Sequence, residues 1–240
     1  TFNVRGFTKL GKVIDLDAKV TYIHHNSENR PDLAEGNTAA GWSFNNMPRN
    51  ISLEDLKNNT VDSEGKELWA WDRTAGNPYW GLENKYNADT RDRVQTLFSA
   101  KFNILENLSL LTRSGFDFMN RTAKQYSASG SKNHSNFKGD YRQGYENNIE
   151  WNTDALLTYK TDLTDDVKMD FNVGGNYRYN QGKGIYQSGE NWRVPNFFTM
   201  SNLEKYGTWE GFSEKEVWSA LALGQISWKN YLYFDFTVRN

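Results

Sequence analysis

Polar and apolar residues change places at every second position over long stretches of this chain. In KMDFNVGGNYRYN, Lys168 to Asn180, one face takes Met169, Phe171, Val173, Gly175, Tyr177 and Tyr179. The other takes Lys168, Asp170, Asn172, Gly174, Asn176, Arg178 and Asn180. Strand side chains alternate with a period of two, so the spacing predicts a strand with one greasy and one wet face. VIDLDAKVTYI repeats the pattern, with Ile14, Leu16, Ala18, Val20 and Tyr22 set against Asp15, Asp17, Lys19 and Thr21. Further on, Val94, Thr96, Phe98, Ala100, Phe102 and Ile104 oppose Arg93, Gln95, Ser99, Lys101 and Asn103, and Leu232, Phe234, Phe236 and Val238 oppose Asp235, Thr237 and Arg239.

Short polar or glycine-containing breaks join such runs in pairs at Gly11-Lys12, Glu106-Asn107, Asp165-Asp166 and Lys229-Asn230. A tight turn between two period-two runs demands antiparallel neighbours, so these predict four hairpins and eight strands. Between the hairpins lie long polar stretches, expected as loops over about Asn26 to Asp89, Asn120 to Tyr145 and Gln181 to Glu214. Loops beyond about 12–15 residues are uncommon in compact domains. Three of them alternating with tight turns put every long connection at one end of the sheet. Tight turns at one rim and long loops at the other are the layout of an outer-membrane barrel, periplasmic below and extracellular above. The mid-strand charges, expensive against lipid, place the wet face on a lumen, with Asp15, Asp17, Lys19, Lys101, Asn172, Asn176 and Arg178 as candidate lining.

Composition fits a wall that is wet on one side. Only 37% of the 240 residues are hydrophobic, yet nine Trp, thirteen Tyr and fourteen Phe are present, which disordered chains lack. Twenty-eight basic residues against thirty acidic ones give no general attraction to nucleic acid. No run approaches the ~18 apolar residues of a membrane helix. Aromatics gather near strand ends, at Tyr22, Trp151, Tyr159, Tyr177, Tyr179, Trp218, Trp228, Tyr231 and Tyr233. Interfacial girdles and plain strand propensity both account for them.

Candidate chemistry is thin. Adjacent strand residues His24 and His25 point to opposite faces and cannot chelate one metal together. Gly182-Lys183-Gly184 lacks the rest of a phosphate loop and reads as a turn. Asp15 and Asp17 share a face with Lys19 and no nucleophile, so no catalytic, metal or cofactor residue is assigned. ISLEDLKNN predicts a short surface helix capped by Ser52, with Glu54 and Asp55 in its first turn. WAWDRTAGNPYW concentrates Trp69, Trp71, Tyr79 and Trp80 in the first long connection. It reads equally as a cluster pinning the loop to the rim and as a surface gripping a ligand or partner.

Asn77-Pro78-Tyr79-Trp80, then DRVQTLFSAKFNILENLSLLTRSGFDF, FNVGGNYRY, VPNFFTMSN and LGQISWKNYLYFDFTVRN together resemble the SusC/RagA family of TonB-linked outer-membrane transporters of Bacteroidetes. The resemblance runs over essentially the whole chain. It implies an all-β antiparallel barrel of about 22 strands around a plug, of which residues 1–240 form part of one TonB-dependent receptor barrel domain. The plug and the TonB-binding segment are then expected outside this chain. It also implies no cofactor and TonB-dependent import of a large nutrient, oligosaccharide or peptide, across the outer membrane. The partners are then a SusD-like surface lipoprotein as lid, the TonB complex and outer-membrane lipid. Asn77, Pro78, Tyr79 and Trp80 carry over only as a family motif, structural or facing a partner or ligand. A stand-alone small barrel and a soluble carbohydrate-binding β-sandwich are the alternatives. The first needs the end strands to pair, and the second needs two packed sheets.

Overall fold

The computed structural model describes residues 1–30, 40–68, 70, 76–132, 136–229 and 231–240, without the side chains of Ala40 and Trp42. Its strands are β1 (Phe2–Leu10), β2 (Ile14–Glu28), β3 (Lys85–Leu105), β4 (Leu108–Ser127), β5 (Asp140–Thr164), β6 (Val167–Trp192), β7 (Leu203–Trp228) and β8 (Leu232–Arg239). They form one antiparallel sheet in sequence order, β1 through β8. In that order β1 and β8 are not neighbours, so the closure required of a stand-alone barrel is not made. The second sheet of a sandwich is absent among the described residues. The chain is an all-β segment of barrel type.

The tight turns fall where the alternation breaks, although Asn230 of the last one lies outside the described residues. Gly11 takes φ +63, which a glycine adopts without steric cost. Backbone bonds knit this rim together: Asn103 N–H to the Val13 carbonyl at 2.7 Å, Lys160 to Asn107 at 2.8 Å, and Lys229 to Asp166 at 2.7 Å.

The register brings like to like. Leu10, Ile14, Phe102, Leu110, Leu157, Val173, Ala222 and Val238 are successive partners across all eight strands. Three positions along, Asp17, Ser99, Arg113, Asp154, Asn176 and Ser219 form a polar row on the opposite face. Because the period is two, a slip of one residue anywhere would interchange these rows. Large apolar side chains along the first face, among them Val20, Phe98, Phe171, Trp218 and Phe234, are exposed.

Two expectations fail at the other rim. The second and third connections shrink to 128–139 and 193–202, because β4 to β7 run on for 20 to 26 residues through stretches expected as loops. Gly182-Lys183-Gly184 lies inside β6 rather than in a turn. Where both faces are polar the hydrophobic period vanishes, but the backbone ladder does not depend on it. Tyr233 pairs with Ser227 on the polar face, away from the girdle expected of it, because its apolar neighbours Leu232 and Phe234 fix the parity.

A small core sits at this far rim. Tyr141, Trp192 and Leu203 are buried there, with Tyr126, Phe198 and Met200 packed on them. Phe198 stacks on Tyr126 at 3.9 Å and meets Trp192 edge-on at 5.3 Å. Asn202 closes the 193–202 connection, its Nδ2 donating to the Val194 and Phe197 carbonyls at 2.7 Å each. Gly139, at φ +75, could carry no Cβ, which would lie 2.4 Å from the Ser127 carbonyl oxygen.

Among the described residues, the first connection, 29–84, carries three short helices: α1 (Ala40–Asn46), α2 (Leu53–Asn58) and α3 (Pro78–Asn84). Ser52 caps α2 as the sequence predicts, accepting from Asp55 N–H at 3.3 Å.

Candidate functional site

The polar face near the tight turns is a field of ion pairs and amide contacts. Asp17 receives Arg5 through two bonds of 2.9 and 2.6 Å, and Asp15 lies 3.7 Å from Lys9. Lys19 and Lys101 stand in the same field, as the register partners of Arg5 and Asp15. Asn172 accepts from Thr158 at 2.6 Å and donates to Asp170 at 3.2 Å. Asn176 donates to Asn152 at 2.6 Å, and Arg178 reaches Glu150 at 3.2 Å. Solvent screens such half-exposed pairs, so they hold the wall together only weakly. Their chemistry is that of a polar surface rich in donors and acceptors.

Higher on the same face a tighter arrangement crosses five adjacent strands. Asp89 on β3 pairs with Arg121 on β4. The Arg121 Nη1 donates to both oxygens of Glu146 on β5, at 3.1 and 3.3 Å. Glu146 Oε1 also accepts from the Tyr186 hydroxyl on β6 at 3.1 Å, and the Tyr186 ring stacks with Trp209 on β7 at 5.6 Å and 18°. Register fixes the last contact, since Tyr186 and Trp209 are direct partners.

Glycines shape the surface beneath. A Cβ at Gly184 would meet the Tyr186 ring at 2.7 Å, one at Gly144 at 3.1 Å and one at Gly211 at 3.7 Å. A side chain at Gly184 would therefore force the ring to shift and one at Gly144 would crowd it, whereas Gly211 is in ordinary contact range. Four depressions continue along β5 to β7, of about 480, 470, 280 and 330 Å³ from the far rim downwards. Neighbouring ones share residues: Arg142 and Trp209, then Glu146 and Tyr186, then Asn148, Gly182 and Ser213. They form one track.

The Asn-Pro-Tyr-Trp motif lies at the far rim and is turned inward. Asn77 is 1% exposed and Trp80 2%. Asn77 is the N-cap of α3, its Oδ1 accepting from Tyr79 N–H at 3.0 Å and Trp80 N–H at 3.4 Å, while Pro78 fills the first helical turn, where no N–H is needed. The Asn77 Nδ2 donates back to the Leu56 and Asn59 carbonyls at 2.8 and 3.2 Å, tying α3 to the end of α2. Buried Glu67 joins the same cluster, accepting from Asn77 N–H and from Lys132 N–H at 3.1 Å each. Burial pushes its carboxyl above the usual range, against the pull of Lys85, Lys132 and the two N–H donors. Tyr79 is half-buried against Phe44, edge-on at 5.7 Å. Trp69 and Trp71 lie outside the described residues.

The chain superposes over 99% of its length on the RagAB peptide transporter, at a TM-score of 0.73 and 15% identity. It matches the RagAB peptide importer in the closed-closed state at 0.72 and 15%, and in the open-open state at 0.71 and 16%. It spans 27% of the length of each of those chains. At this identity the likeness is one of fold. No family model matches the chain, and no curated protein does.

The lumen candidates chosen from the sequence do lie on one face, but Tyr186, Trp209, Arg121 and Glu146 were missed. Arg121, Tyr186 and Trp209 fall in stretches expected as loops, and Glu146 lies one residue beyond such a stretch. The signal that could have found Tyr186 is Gly182, Gly184 and Tyr186 at steps of two, which share one face of a strand.

Proposed function

We propose that residues 1–240 form part of one barrel domain in the outer membrane, with the apolar face on lipid and the polar face on a lumen through which a large polar nutrient is imported. The observation that carries this reading is the apolar row in register across all eight strands, bounded by aromatics. Trp218 and Trp228 mark the two edges on β7, ten residues apart. At about 3.4 Å per residue and a tilt of 35–45°, that separation is roughly 24–28 Å of height, against about 25 Å for the apolar band of a membrane barrel. At the upper edge Trp151, Tyr177 and Trp218 touch in sequence, at 6.3 and 4.3 Å. The open strand order and the 27% share of the similar chains support a wall made of more strands than these eight.

In this placement the tight turns are periplasmic, and the strand extensions with connections 29–84, 128–139 and 193–202 rise outside. The likeness to the RagAB structures and the family motifs support a TonB-dependent importer of oligosaccharide or peptide. They equally support a SusD-like lipoprotein seated on the far rim, with plug and TonB contact supplied from outside these residues. Deleting the gene tests the reading. Gene-dependent accumulation of an oligosaccharide or peptide, abolished by dissipating the proton gradient, is the expected result. Extraction of the native protein without detergent would overturn the membrane placement.

A further inference from the structure

We infer that Tyr186 and Trp209 form a stacking platform for a pyranose ring, and that the track they head binds a carbohydrate chain. The inference rests on reading the polar face as the wall of an import path. Three observations carry it.

First, the platform is flat and held open. Gly144 and Gly184 make room for the Tyr186 ring against the sheet, and the hydroxyl is anchored on Glu146. Trp209 stacks with the Tyr186 ring at 5.6 Å and 18° and remains 52% exposed. An aromatic face carries partial negative charge, and the axial C–H groups of a pyranose present a matching apolar, weakly positive face. Rigid rings on a glycine floor lose little conformational freedom on binding.

Second, the surroundings suit hydroxyls. Arg121, Arg142 and Glu146 border the same depression as the two rings, supplying paired donors and acceptors at the edge of an apolar surface. Vicinal hydroxyls around a stacked ring need that combination.

Third, the features that would receive an extended peptide are absent from this place. β6 is paired on both sides along the track, so no free strand edge offers backbone hydrogen bonds to an added strand. The depressions are shallow and edged with charge rather than closed apolar pockets for side chains. Below the rings the track continues past Gly182 and Ser213 toward Arg93 and Asp117, a course that an extended chain could follow.

The test uses the full-length protein purified in detergent and an array of soluble neutral and acidic oligosaccharides, with a soluble peptide library in parallel. The expected result is binding of at least one oligosaccharide, weakened by about 5- to 150-fold in Trp209→Ala, the range for loss of one stacked ring. Trp209→Phe, which keeps a ring, should retain most of the affinity and shows that the fold is not at fault. Absence of any oligosaccharide binding, or binding that Trp209→Ala leaves unchanged, overturns the proposal. So does peptide binding that depends on Trp209 in its place. Uptake by cells carrying each variant separates this failure from failure of the import reading. Gene-dependent peptide accumulation would sink the platform while import stands, whereas no gene-dependent accumulation of any solute would sink import itself.

Discussion

The lower and upper parts of β6 share one hydrogen-bond ladder and differ in almost everything else. From Val167 to Tyr179 the outward positions are Met169, Phe171, Val173, Gly175, Tyr177 and Tyr179, whereas from Gln181 upward they are Gln181, Lys183, Ile185, Gln187 and Gly189. The backbone does not register the change, because the pairing with β7 keeps one register from Val167↔Trp228 to Trp192↔Leu203. The difference teaches that the ladder makes the strand and the surroundings choose the side chains. In the proposed placement, hydrocarbon demands alternation in the lower part, while water on both faces of the upper part permits anything that tolerates an extended backbone.

The largest expected effect tests that contrast directly. Arg at Phe171, near the middle of the apolar band, should cost about 2–4 kcal/mol in denaturant unfolding from lipid vesicles, whereas Ile185→Arg on the same face of the same strand should cost about 0–1 kcal/mol. Asn172→Arg, on the opposite face, should be nearly neutral. Equal costs at Phe171 and Ile185 would dissolve the distinction between the two parts.

A smaller effect separates the strands from the connection that crowns them. Asn77→Ala removes the cap of α3 and two bonds to the end of α2, and should lower the local stability of the 29–84 connection by about 1–3 kcal/mol. Hydrogen exchange at the Tyr79 and Trp80 amides should accelerate while the amides of β6 stay protected. Loss of protection in both regions would show that rim and wall unfold as one unit.

The smallest effect is a pH dependence confined to the rim. Burial raises the Glu67 carboxyl in the folded state, so the folded chain holds its proton more tightly than the unfolded one. The contribution to stability is then fullest below the ordinary glutamate range and declines as pH rises through the raised folded value. Exchange at the Asn77 and Lys132 amides, corrected for intrinsic rates, should quicken over that window and lose the trend in Glu67→Gln. Acceleration as pH falls would reverse the assignment.

How far the sequence reveals the molecule follows the same division. The strands of the lower part are legible to the residue at most turns, because Glu106-Asn107 and Asp165-Asp166 interrupt strict alternation. The strand extensions are not legible, since Arg142, Gln143 and Lys183 alternate with nothing apolar, and only cross-strand pairing reveals them. The cap at Ser52 is readable from its hydroxyl and the following carboxylates. Asn77 caps α3 through the local Tyr79 and Trp80 amides, but its ties to Leu56, Asn59 and Glu67, far away along the chain, are hidden. Tyr186 and Trp209 escape for a further reason: their meeting depends on a register that neither local sequence states.

The order β1 through β8 also says something about how such a wall is made. Each strand finds its partners immediately before and after it in the chain, so the loop to be closed at every second step is a turn of two or three residues. Closing a short loop costs little entropy, and contacts near in sequence form fast. The sheet can grow hairpin by hairpin as the chain arrives, each new pair templated on the exposed edge of the last. The 29–84 connection is the longest loop to be closed, and it lies where α1 to α3 can fold beside the sheet without delaying its growth.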